Sequence, residues 1–468
     1  MNAAFEPPHL KRAMGVRDVT LFMVTAGCSP QWAAAAASSG PSSLLIWVLG
    51  GLGMFLPLAV CVVFLSSRHP DEGGLYVWSK RAFGPFAGFI TGWMYWISGM
   101  PFLTGLLYFA AGSALYFAGQ PDAVASASPA YFIGFSFLAL GFTVWLNLRG
   151  LAIAKWLYNA GAIARLFEML LLVALGLMIW GRFGSAVPLN AQTMVPGFHL
   201  QDWIFWGTIA FAWTGSEAVS FMGGEIRDPQ RTVPRSLLIA APMIAAVYLL
   251  STGAVLVSVA PEKLSALYGV MEAIRVSAER LGIAWLIPLG ALLVILDRIG
   301  GLGLWLGANA RLSFAAGIDH YLPAGFARVH PQTGAPTVAL WTQAAVIAAF
   351  ILLGQAGTSV RGAYNVLVNL MVIATMLPFL ALFASAIKLS GSVPVPGEAR
   401  IPGGRATVVA MALVGLATTL AAIAFALVPA TGEEHPLLAL FKVAGITSVL
   451  LGLGAALYFV GRARARRA

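Results

Sequence analysis

An all-α protein crossing the membrane many times is the expected architecture, and three observations carry it. The chain of 468 residues is 59% hydrophobic and only 10% charged, where soluble domains are about 25% charged. Apolar runs of about twenty residues recur along it, each long enough to cross a hydrocarbon core about 30 Å thick. The basic residues between those runs alternate between many and few, as loops on the two sides of a membrane do.

Twelve spans are expected, at about 18–37, 43–65, 86–118, 130–148, 156–181, 203–223, 236–260, 283–313, 337–355, 364–388, 406–429 and 437–461. With the N-terminal segment 1–17 inside, the inner segments collect Lys11, Arg12, Arg17, Arg68, Lys80, Arg81, Arg149, Lys155, Arg227, Arg231 and Arg235. They continue with Arg311, Arg328, Lys388, Arg400, Arg405 and the tail's Arg462, Arg464, Arg466 and Arg467, twenty in all. The outer segments hold five, Arg182, Lys263, Arg275, Arg280 and Arg361. That asymmetry sets an even span number with both termini cytoplasmic; the expected location is the cell's inner (plasma) membrane. It also accounts for the net charge of +10 without a nucleic-acid partner. The basic N-terminal segment lacks a short apolar core ending at a small-residue cleavage site, so the first run is expected to stay as a span. Cys28 and Cys61 both lie in apolar runs, which suggests no disulfide framework.

The first span is interrupted. After Asp18–Val24 come Thr25, Ala26, Gly27, Cys28, Ser29 and Pro30. Pro30 has no N–H to give and clashes with the preceding turn. The sixth span is interrupted too: within Ile209–Arg235, read IAFAWTGSEAVSFMGGEIRDPQRTVPR, stand Thr214, Gly215, Ser216 and Glu217. Unpaired backbone groups cost several kcal/mol each in hydrocarbon, so such breaks survive only within protein or beside a water-filled cavity. A packing kink is the plainer reading of either break alone. Two breaks in corresponding positions of two halves point instead to the site of an inverted-repeat transporter. Broken helices there offer N–H groups from one half and carbonyls from the other to a small charged or zwitterionic solute.

Charges at membrane depth are few and therefore informative. Glu217 follows the sixth-span break, where it either anchors the unwound stretch or carries a proton; the anchor is favoured. Arg165 and Glu168, three apart in the fifth span, share a helix face. Asp297 and Arg298 are neighbours in the eighth span and leave the helix about 100° apart. They are not expected to face each other, and Arg165 and Glu168 are the candidate partners. Lys442 lies near a span end and can snorkel. The loops 68–93 and 311–336 carry interfacial Tyr76 and Trp78, turn residues such as Asp319, Pro323, Pro331 and Pro336, and His320 and His330; they show no chemistry of their own.

Four stretches together resemble the amino acid–polyamine–organocation superfamily of secondary transporters. They are the interrupted first span, HPDEGGLYVW…AFGPFAGFITGW, FAWTGSEAVSFMGGEIRDPQRTVPR and ARLSFAAGIDHYLPAGFARVHPQTGAP. The tail, IPGGRATVVAMALVGLATTLAAIAFALVP, is similar to bacterial permeases, including glutamate/γ-aminobutyrate antiporters. The resemblance implies two inverted five-helix repeats in 18–388, with helices one and six broken. Two C-terminal helices would follow in 389–461, then the basic tail 462–468. It implies that a substrate carboxylate sits on backbone N–H groups at Ala26, Gly27, Cys28 and Ser29. The amino group would sit on carbonyls at Phe211, Ala212 and Trp213, beside Gly215, with the Phe211 ring closing over the substrate. Proton-coupled relatives keep a lysine near the position of Arg165. An arginine does not release its proton in proteins, so Arg165 argues against that route.

The leading reading is a transporter of amino acids or related small amines working by alternating access. A proton-coupled symporter and a glutamate/γ-aminobutyrate-type antiporter are the alternatives within the class. The side chain is expected to be neutral, with an acidic one second because of Arg165 and Arg298. An enzyme is not expected: no histidine lies centrally in a span, no Cys/His cluster is spaced for a metal, and no phosphate-binding glycine loop appears. No cofactor or metal is implied; the partners are the solute and the lipid bilayer. A channel would need repeated polar rings. A membrane sensor of amino acids would use the same pocket, but no sizeable soluble signalling domain accompanies it. The sequence leaves the oligomeric state open.

Overall fold

The computed structural model describes residues 14–69, 73–122, 128–197, 203, 205–265, 268–318, 321–327, 330–355, 360–393, 398–428 and 436–465. Most of the segment 1–17, Asp319, His320 and Arg328 of the loop after the eighth span, and the end of the basic tail lie outside them. Every long element is helical. The first half contains α1 (Val16–Gly27), α2 (Pro30–Ala37), α3 (Ser43–Gly50), α4 (Leu56–Arg68), α5 (Leu75–Phe83), α6 (Pro85–Phe117), α7 (Pro129–Leu148) and α8 (Leu151–Phe183). After the short α9 (Ala191–Met194) come α10 (Trp206–Ala212), a 3₁₀ stretch Ser216–Glu225, α11 (Pro229–Ser258), α12 (Gly269–Leu281) and α13 (Leu286–Ile318). The chain continues through α14 (Thr337–Gln355), α15 (Val360–Leu389), α16 (Gly404–Ala426) and α17 (Pro436–Ala465).

Nine helical segments among the described residues are long and apolar enough to cross a bilayer, and Thr337–Leu353 is a shorter apolar one. Their outward side chains, among them Leu138, Trp156, Leu238 and Phe441, are exposed apolar groups. An apolar surface of that extent marks contact with lipid. α6 runs for 33 residues, about 50 Å at 1.5 Å per residue, so it tilts or projects beyond the hydrocarbon. The short α5 lies within 68–93, where the sequence had suggested loop, and the short α12 lies between α11 and α13.

Both expected interruptions are present. α1 ends at Gly27, Cys28 (φ −119°, ψ 130°) and Ser29 (φ −149°, ψ 124°) are extended, and Pro30 opens α2 from the first-turn position that suits proline. α10 ends at Ala212, and Gly215 turns the chain with φ +106°. That left-handed conformation favours glycine. A Cβ there would also meet the Ala26 carbonyl oxygen at 2.6 Å.

The two broken segments run in opposite directions. Met14 pairs with Ile226 at one end, where the Arg227 N–H donates to the Met14 carbonyl at 2.9 Å. At the other end Ala26 lies against Gly215. The chain from 14 to 26 therefore lies beside 226 to 215, the inverted relation expected of two repeats. α11 runs with the first segment: Ser236 Oγ donates to the Val16 carbonyl (3.0 Å), Tyr248 Oη to Gly27 (2.8 Å) and Thr252 Oγ1 to Ala33 (3.4 Å).

Small residues set the close approaches that shape the centre. α8 and α13 cross where Gly161 faces Gly300, each added Cβ falling within 2.7 Å of the other's Cα. Contacts of this kind let membrane helices approach backbone to backbone. One turn from this crossing, Arg165 meets Asp297. At the Gly51–Phe55 turn between α3 and α4, which is wider than an α-helical turn, Gly50 and Gly51 leave room for the Trp213 ring.

Candidate functional site

The interruptions wall a cavity of about 70 Å³ at the centre of the protein. A water needs roughly 10–15 Å³ on the same scale, so the space takes on the order of five to seven solvent-sized groups. Ala26, Cys28 and Ser29 line it from the first break, Phe211, Ala212, Gly215 and Glu217 from the second, and Arg165 from α8. α6 contributes Tyr95, Ser98, Gly99 and Phe102, spaced as one face of a helix. Gly27 and Trp213, expected to offer a backbone N–H and a carbonyl, are not among the residues that line it. A Cβ on Gly27 would point at Ile244 Cδ1, 3.1 Å away on α11, and Trp213 packs edge-on to Trp47 at 6.0 Å. Ala26 and Gly27 also belong to α1, so the extended backbone of the first break is confined to Cys28 and Ser29.

Each break is held by side chains. Glu217 Oε2 accepts from the Gly215 N–H at 2.7 Å, and its Oε1 accepts from Tyr95 Oη at 2.9 Å. The carboxylate thus ties the turn of the second break to α6. Thr214 closes the end of α10, its N–H and Oγ1 both donating to the Phe211 carbonyl, at 2.9 and 2.7 Å. Tyr248 joins the two breaks: its hydroxyl lies 2.8 Å from the Gly27 carbonyl and 3.0 Å from that of Ala212. With one proton it serves these two acceptors in turn. The Tyr248 ring is stacked on Trp47 at 4.1 Å, and Trp47 donates from Nε1 to Thr252 Oγ1.

Arg165 connects the site to a buried ion network. Its Nη1 donates to the carbonyls of Thr25 (2.5 Å) and Cys28 (3.2 Å), and its Nε to Asp297 Oδ1 (2.7 Å). Arg298 donates to Glu168 at 3.0 Å and also contacts Asp297. That last contact corrects the expectation that Asp297 and Arg298 do not meet. Adjacent Cα–Cβ bonds diverge, but the long arginine stem folds back to bring the guanidinium to the neighbouring carboxylate. Two guanidinium groups and two carboxylates give a network with no net charge, which is how buried charge is tolerated at membrane depth. Asp297 and Glu168 do not line the cavity; Asp297 connects to it through Arg165, and Glu168 through Arg298 and Asp297. No group of three metal-ligating side chains occurs among the described residues.

Sequence reading missed Tyr248, Trp32, Trp305 and Asn309, all in the cavity wall. The available signal was polar atoms in the middle of apolar spans, since a buried tyrosine hydroxyl or asparagine amide needs a partner. Attention to full charges alone passed over them.

Antiparallel broken helices around a central cavity define a membrane transporter of the inverted-repeat class. The solved structure of MhsT in complex with L-phenylalanine shares the fold, with a TM-score of 0.58 at 14% identity over 96% of this chain and 99% of that one. Residues 15–451 match the family model described as amino acid permease, and the chain belongs to that family. An uncharacterised transporter of Legionella pneumophila is 28% identical over 90% of both chains. A Lactococcus lactis protein named as a probable agmatine/putrescine antiporter is 27% identical over 61% of this chain and 60% of its own. The mouse Asc-type amino acid transporter 1 is 25% identical over 68% of this chain and 59% of its own.

Proposed function

We propose that the protein exchanges small, electrically neutral amino acids across the plasma membrane by alternating access, without covalent chemistry. Twelve crossings with both termini cytoplasmic complete this reading: the helices long enough to span, the shorter α14 and the two broken segments. The observation that carries it is the single cavity walled by both helix interruptions. A zwitterion suits that place. Its carboxylate meets the backbone at Cys28 and Ser29 and the first turn of α2, and its ammonium meets the carbonyls ending α10.

Size and charge narrow the substrate. On the order of five to seven solvent-sized groups matches an amino acid with at most a short side chain. The positive charge of Arg165 is answered by Asp297 and that of Arg298 by Glu168. Neither guanidinium is left over to attract an acidic side chain, so the acidic substrate loses its motivation.

Exchange is favoured over proton-driven uptake because Arg165 stands where a titratable lysine would serve, and it keeps its charge. A proton-coupled reading rests on Glu217, a carboxylate in the cavity wall. The test is uptake by proteoliposomes preloaded with single amino acids, with and without an imposed pH gradient. Uptake that depends on internal neutral amino acid and ignores the gradient supports exchange. Gradient-driven accumulation without internal substrate supports coupling, and binding without accumulation identifies a sensor.

A further inference from the structure

A second cavity, of about 270 Å³, lies away from the broken helices. Phe89, Gly92, Trp93 and Trp96 of α6 wall it on one side. These four repeat the i, i+3, i+4, i+7 spacing of Tyr95, Ser98, Gly99 and Phe102 but on a different face of the helix. α6 therefore separates two cavities, one for each face. Val346 of α14 and Leu457 of α17 close the other side, and Leu322 and Phe326 lie at its end.

The position fits one leaflet. From Phe89 to Trp96 the helix rises about 10 Å, within the roughly 15 Å of hydrocarbon in half a bilayer. Its shallow end lies against α5, which carries Lys80 and Arg81, and α17 presents exposed Arg462 and Arg464 a little beyond Leu457. The wall is mostly aromatic and aliphatic; the hydroxyls of Ser313 and Thr342 donate to carbonyls of their own helices, which leaves two donors to account for. Tyr76 Oη and Trp96 Nε1 are buried donors with no hydrogen-bond partner among the described residues. Buried donors are rarely left unmatched, and both belong to residues lining this cavity.

We infer that the cavity binds an anionic phospholipid from the leaflet on the protein's basic side. One acyl chain lies between α6, α14 and α17, ester oxygens accept from Tyr76 and Trp96, and the phosphate stays among Lys80, Arg462 and Arg464. An acyl chain supplies the long apolar body, the esters supply acceptors, and juxtamembrane arginine and lysine favour anionic headgroups. Because another face of α6, about 120° around the helix, walls the central cavity, occupancy of this site steadies the helix that presents Tyr95 and Ser98.

The experiment uses the full chain purified from membranes and exchanged into mixtures of phosphatidylglycerol and phosphatidylcholine, with bound lipid read by native mass spectrometry. The wild type is expected to retain one phosphatidylglycerol through detergent washing that strips phosphatidylcholine. Val346→Trp, which fills the cavity from α14, should lose it. Tyr76→Phe, which removes one donor and keeps the ring, should lower phosphatidylglycerol retention several-fold. Thermal unfolding of each variant in the same detergent reports that it is folded. Val346→Trp retaining as much phosphatidylglycerol as wild type would overturn the inference. So would equal retention of phosphatidylcholine, or a free fatty acid or detergent molecule as the retained species.

Discussion

Removing the Tyr248 hydroxyl tests whether the two helix breaks act as one device. Tyr248→Phe keeps the ring, stacked on Trp47 at 4.1 Å and edge-on to Trp213 at 5.7 Å. What is lost is the donor 2.8 Å from the Gly27 carbonyl and 3.0 Å from that of Ala212. Leaving a buried polar group short of its partner costs about 1–3 kcal/mol. The cost falls on the arrangement that holds the breaks together, because only there does one hydroxyl reach both carbonyls. If the substrate is held by that arrangement, its affinity should fall by a factor of about 5 to 150. Equilibrium binding of labelled amino acid to purified protein measures this, with thermal unfolding of the same sample as the control for folding. Affinity within twofold of wild type, or a loss matched entirely by unfolding, would refute the reasoning.

The other variants separate holding from moving. Phe211 lies edge-on to Trp32 at 5.5 Å; on the proposal that its ring closes over the substrate, Phe211→Ala should slow exchange in proteoliposomes more than it weakens binding. Arg165→Lys keeps the charge but not the fork that reaches Thr25, Cys28 and Asp297 together. With hydrogen bonds to a charged group contributing about 1.5–3 kcal/mol each, exchange should drop about tenfold or more, and any residual activity should respond to an imposed pH gradient. Glu217→Gln places an amide, with one acceptor oxygen, where the carboxylate accepts from both Gly215 and Tyr95. Exchange should fall without a change in its response to the pH gradient; loss of a gradient-driven accumulation would move the coupling to Glu217.

The membrane class and both interruptions were legible because they rest on local rules: long apolar runs, loop charge, and proline, glycine and polar residues inside a span. So were the partners of the buried charges: Asp297 and Arg298 needed opposite charges, Arg165 and Glu168 were the candidates, and the structure pairs Arg165 with Asp297 and Arg298 with Glu168. The close approach that brings them together was not legible, because the contact of Gly161 with Gly300 joins residues 139 positions apart and no local pattern encodes it. The first break is narrower than Ala26–Ser29 because α1 keeps Ala26 and Gly27 helical, with the Gly27 carbonyl held by the Tyr248 hydroxyl of α11. Trp213 was expected to offer its carbonyl; where its ring goes was not legible, and it takes a slot beside Gly50 and Gly51 at the wide turn Gly51–Phe55. Neighbouring residues can share a break and still face opposite sides of its wall.

The native Cys28 offers the most direct measurement on the proposed site. It lines the central cavity, while Cys61 is buried in α4 outside that wall. In a Cys61→Ser background, alkylation of Cys28 by a small neutral thiol reagent can be followed by mass spectrometry alongside exchange activity. If substrate occupies the space between the broken helices, a saturating transported amino acid should slow the modification of Cys28, and complete modification should stop exchange. Labelling at the same rate with and without that amino acid, or full exchange after complete labelling, would place the substrate somewhere else.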